Sequence, residues 1–81
     1  ATQALALLNA DETVTAATAL ADRVRRGAKT DEERVTLAYR LALGRAPTAK
    51  EAERAKAFLT ASPLSELCRA LFNVNEFIYL D

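Results

Sequence analysis

The 81-residue chain contains no histidine, no tryptophan and no methionine. Without histidine it lacks the commonest general base and the commonest metal ligand, and every Ser-His or Cys-His arrangement is excluded. Its one cysteine, Cys68, rules out an internal disulfide, a zinc site of the Cys-x-x-Cys kind and a Cys-x-x-Cys-His haem attachment. Only two glycines occur, Gly27 and Gly44, each isolated, so no glycine-rich phosphate loop can form. Two glycines and two prolines also leave little room for disorder. No segment approaches the roughly 20 apolar residues that span a bilayer.

Charge of one sign is missing too. Eleven basic and eleven acidic residues give a net charge of zero. Nucleic-acid domains carry a basic excess on one face, and binders of anionic membranes need the same, so neither partner is expected.

What the chain has is alanine. Hydrophobic residues make up 51%, but eighteen are alanines and only twenty are Leu, Val, Ile or Phe. The core is therefore thin, and helices must approach closely over small side chains. A single core of this size rarely nets more than about 3–5 kcal/mol.

The pattern is helical throughout. Ala, Leu, Glu, Lys and Arg dominate, and no apolar-polar alternation runs long enough for a strand. A short helix is expected over about residues 2–8. Asn9 with Glu12 forms a capping box for a second helix running to about Arg26, with Val14, Ala17, Ala21 and Val24 on one stripe and Leu20 beside it. Gly27 is read as its left-handed stop. Thr30 and Glu33 open a third helix, with Val35, Ala38 and Ala42 inward, Leu37, Leu41 and Tyr39 widening its apolar face, and Gly44 ending it. Thr48 with Glu51 opens a fourth, presenting Ala52, Ala55, Phe58 and Leu59. Ser62 is expected to cap a fifth with Pro63 at its first position, burying Leu64, Leu67, Cys68, Leu71 and Phe72 and ending near Asn73. Short connections favour antiparallel neighbours.

These signals predict an all-α fold: one domain over residues 1–81, a small antiparallel bundle of about five helices with a docked C-terminal segment. No catalytic constellation is visible, so no enzyme activity, cofactor or metal site is expected of the chain. The acids Asp31, Glu32 and Glu33 read as first-turn residues favoured by the helix dipole rather than as ion ligands. Cys68 reads as a small buried hydrophobe. Arg45 either caps carboxyl-end carbonyls or pairs with Glu51, or else contacts an anion or partner. Asn73 and Asn75 tie off the last helix, or they join Gln3, Asn9, Arg45, Glu76 and Tyr79 in a surface read by another domain.

Three stretches carry a family resemblance. Leu67–Asp81 reads Leu-Cys-Arg-Ala-Leu-Phe-Asn-Val-Asn-Glu-Phe-Ile-Tyr-Leu-Asp, the opening holds Thr2-Gln3-Ala4-Leu5-Ala6-Leu7-Leu8-Asn9, and the middle holds Tyr39-Arg40-Leu41-Ala42-Leu43-Gly44-Arg45-Ala46-Pro47-Thr48. Together they resemble the uncharacterised C-terminal domain of large planctomycete-type, cytochrome-c-associated multidomain bacterial proteins. Leu64 departs from a frequent Trp of that domain and Val74 from a small residue. The resemblance implies a C-terminal piece of a longer, exported protein, since c-type haem is attached outside the cytoplasm. It supplies no mechanism. The expected role is a structural or interaction domain that packs on other domains of its parent chain or on a protein partner. The alternative is a contribution to a ligand or carbohydrate site of the parent.

Overall fold

The computed structural model describes residues 10–74. Among them are four helices and no strand: α1 (Ala10–Gly27), α2 (Asp31–Leu43), α3 (Ala49–Leu59) and α4 (Leu64–Phe72). The short helix expected at 2–8, the Asn9 cap and the docked closing segment fall outside the described residues, so the bundle described has four helices where about five were expected.

Local chemistry sets most boundaries. The Thr30 hydroxyl accepts from the Glu33 amide at 3.1 Å, while the Glu33 carboxylate accepts from the amides of Lys29 at 3.0 Å and Thr30 at 3.4 Å. This reciprocal box satisfies donors that the first turn of α2 would otherwise leave unpaired. At the far end Gly44 adopts φ 75°, the left-handed region, and its N–H donates to the Arg40 carbonyl. The Thr48–Glu51 box repeats the device at the start of α3.

Two expected caps differ. Gly27 is the last residue of α1, and Gly44 is the described glycine with positive φ. Gly27 matters through close approach instead: a Cβ there would stand 2.9 Å from Leu37 Cδ2 of α2. Ser62 is not the cap of α4. Its N–H closes the last turn of α3 on the Phe58 carbonyl at 3.0 Å. Pro63, at φ −73° and ψ 158°, takes the cap position, so the helix begins one residue later.

Helix α1 packs most extensively on α4 and also on α2, which in turn touches both α3 and α4. The core draws Ala17, Ala21 and Val24 from α1, Val35, Ala38 and Tyr39 from α2, Ala55 from α3, and Leu64, Leu67, Cys68 and Leu71 from α4. No polar or charged side chain is buried among the described residues. Three expected contributors stand outside this core: Val14 is 48% exposed, Phe58 38% and Leu41 37%. The reason for Val14 is length. The 18-residue α1 is twice the 9-residue α4, so α4 cannot cover the whole apolar stripe. For Phe58, Ala55 already occupies the inward line of α3, with Ala52 and Leu59 packed beside it.

Candidate interaction surface

A cluster of polar side chains spans the turn between α2 and α3. Arg45 Nη1 donates to Glu51 Oε1 at 2.7 Å and Nη2 to Oε2 at 3.0 Å. Glu51 Oε1 also accepts from the Thr48 amide at 2.8 Å, and the Thr48 hydroxyl accepts from the Glu51 amide at 3.2 Å. The same carboxylate thus completes a helix cap and anchors a guanidinium. The Arg45 hydrogen bonds, then the Thr48 N–H, hold the Glu51 carboxyl down at about 2. Behind the pair lies the Tyr39 ring, its centroid 5.7 Å from Arg45 Cζ, within the range of a cation–π contact. The pairing of Arg45 with Glu51, expected as one structural role of this arginine, is present.

Beside this cluster an apolar groove of about 230 Å³ opens between α2, α3 and α4. Tyr39, Ala55, Phe58, Leu67, Leu71 and Val74 form its apolar lining, with Glu51 and Arg54 as its charged members. Asn73 sits at the carboxyl cap of α4, its backbone N–H donating to the Ala70 carbonyl at 3.1 Å. Neither Arg45 nor Asn73 lines the groove. The other residues of the expected surface, Gln3, Asn9, Asn75, Glu76 and Tyr79, lie outside the described residues. Sequence reasoning missed Phe58 and Arg54 as surface elements. The signal for Phe58 was its place one step off the Ala52–Ala55–Leu59 line.

The remaining charges are arranged locally. Asp22 and Arg25 pair at 3.0 Å, Glu66 and Arg69 at 3.5 Å, and Glu32 reaches Lys56 from α2 to α3 at 3.6 Å. Arg23, Arg25 and Arg26 are exposed at the carboxyl end of α1, where the helix dipole favours positive charge. Cys68 is fully buried, and desolvation pushes its thiol up to about 11.

These features define a small all-α domain whose described surface carries this apolar groove and two clefts with charged linings along α2, of about 330 and 490 Å³. Residues 1–59 match the PSD1 family, protein of unknown function (DUF1553), and the chain belongs to that family. The match runs through α1, α2 and α3 and ends at Leu59. No curated protein and no solved structure matches the chain. No helix among the described residues is long and apolar enough to cross a membrane.

Proposed function

We propose that this chain is a non-catalytic helical interaction domain, one that packs on or completes a larger exported bacterial protein of the planctomycete-type, cytochrome-c-associated kind. The observation that carries this reading is the course of the apolar stripe on α1. Ala17, Ala21 and Val24 are buried along it, yet Val14, one turn nearer the amino end, is 48% exposed. Val14 thus extends the stripe by one turn beyond the buried residues, and we read it as a contact point for another part of the parent protein. Zero net charge suits packing on protein rather than on nucleic acid. Membership of the PSD1 family, protein of unknown function, is compatible with this role, and the exported context rests on the resemblance of residues 67–81 alone.

The test is calorimetric titration of the domain into the rest of its parent polypeptide. Heat at a one-to-one ratio is expected, and Val14→Glu should abolish it while leaving the domain's melting temperature unchanged. No heat, with both pieces folded, would remove the reading.

A further inference from the structure

The groove between α2, α3 and α4 has the size of one side chain and carries one uncompensated charge. We propose that it docks a segment of another polypeptide, one that inserts an aromatic ring and holds a carboxylate beside it to meet Arg54. This site does not rest on the reading of Val14, which lies on α1.

The walls make the groove a receptor for an apolar anchor. Tyr39, Ala55, Leu67 and Leu71 are buried core residues, so the floor consists of side chains that packing already holds in place. Phe58 stands at the rim, 38% exposed, the bulkiest apolar side chain among the described residues that the core leaves open. Exposed aromatic residues beside a packed depression are typical of protein interfaces.

Size selects the guest. Small-molecule sites enclose about 300–1,000 Å³, and the groove has about 230 Å³. A cavity of about 150 Å³ accepts a benzene molecule, so the space suits a single ring borne on a larger partner. The Tyr39 and Phe58 rings favour an aromatic guest, since ring pairs gain more than their buried area alone gives.

Charge selects what stands beside that ring. Glu51 and Arg54 are the charged lining residues. Both Glu51 oxygens accept from Arg45, so that carboxylate is already compensated. Arg54 is exposed and forms no ion pair among the described residues. The free charge on the wall is therefore positive, and a guanidinium offers a carboxylate two parallel donors. A basic flank would meet repulsion at the same place, and such complementarity sets partner choice more than tightness. A second copy of this chain would offer Phe58, but that ring travels with Arg54 one turn earlier on α3, so two copies would bring like charges together.

The experiment titrates the isotope-labelled 81-residue chain with three blocked peptides: acetyl-Asp-Phe-Asp-amide, acetyl-Lys-Phe-Lys-amide and acetyl-Asp-Ala-Asp-amide. The first should shift resonances of Ala55, Phe58 and Leu71, the second should bind about tenfold more weakly, and the third should leave these resonances in place. Arg54→Glu, at an exposed position, should reverse the order of the acidic and basic peptides with helical circular dichroism unchanged. No shift at these residues with the acidic aromatic peptide overturns the proposal, as does equal binding of the two charged peptides by the wild-type chain. Groove resonances that move with the concentration of the chain alone would give the groove to a second copy and overturn it too. So would contacts onto Phe58 from elsewhere in the free chain that leave the peptides unbound. The peptide comparison is made on the unmodified chain, so it decides the matter whatever Arg54→Glu does to the fold.

Discussion

Arg45 and Glu51 are joined by two parallel hydrogen bonds, at 2.7 and 3.0 Å, across the turn between α2 and α3. The pair ties Arg45 to the start of α3, because the same carboxylate accepts from the Thr48 N–H at the helix cap.

A carboxylate held below its unfolded value stabilises the fold at pH above that value, and the contribution is lost as pH falls through the folded one. For Glu51 the window runs from about 4.3, the usual glutamate value, down to about 2. The Glu33 carboxyl is lowered too, first by the Lys29 amide and then by that of Thr30, so it acts in the same direction. Both partners of the Arg45–Glu51 pair keep some solvent contact, 34% and 24%, so the pair contributes about 1 kcal/mol at most. Glu51→Gln should lower the melting temperature at pH 7 by about 4–8 °C or less and flatten its fall between pH 4 and pH 2. A variant that melts with the wild-type pH profile would show the pair to be inert.

The two glycines should respond differently to alanine. Gly44→Ala forces a Cβ into the left-handed region at φ 75° and should cost about 1–2 kcal/mol. Gly27→Ala brings a Cβ to 2.9 Å from the mobile end of Leu37. A small rotamer shift relieves that contact, and alanine's better helix propensity offsets the remainder. Urea denaturation of the two variants should therefore give a change within about 0.5 kcal/mol for Gly27→Ala and a clear loss for Gly44→Ala. Equal losses would contradict this division of roles.

Leu71 and Phe58 separate core from rim. Leu71 is 3% exposed, and Leu71→Ala should cost about 2–5 kcal/mol, enough to unfold so thin a domain. Phe58, larger but partly exposed, should lose only about 1 kcal/mol as Phe58→Ala. The ranking reverses the one residue size suggests, and chemical denaturation of both variants reads it directly.

Cys68 should be silent to thiol reagents in the folded chain at pH 8 and react at the rate of global opening. Burial raises its thiol to about 11. Its contribution is therefore complete below the unfolded value near 8.5 and is lost as pH rises toward the folded one. Wild-type stability should fall between pH 9 and pH 11 more than that of Cys68→Ala. Fast labelling without denaturant would mean that α4 opens locally.

Much of the helical layout is legible before folding, because its signals are local. Thr30 with Glu33 and Thr48 with Glu51 act over one turn, and Gly44 acts at its own φ. The misreadings arise where a residue answers to something distant. Gly27 looks like a left-handed stop, but its constraint comes from Leu37 on the next helix. Ser62 looks like a cap, yet its N–H is engaged by Phe58 on the preceding helix. Val14 continues the apolar stripe of α1, and only the shortness of α4 leaves it bare. The groove was invisible for the same reason: Tyr39, Phe58 and Leu71 come from three helices, and no spacing along the chain announces their meeting. Of the expected surface only Arg45 and Asn73 fall within the described residues, and neither lines the groove.

The alanines at 17, 21, 38 and 55 act as spacers. Each is nearly inaccessible, and with no buried polar group among the described residues to register one helix on another, the distance between helix axes is set by the thinness of these side chains. Ala21→Val or Ala38→Val would wedge the helices apart, at a cost of about 1–3 kcal/mol. The domain's girth is gauged by what its smallest side chains leave out, and its surface can be rewritten far more freely than these four positions can grow by a single carbon.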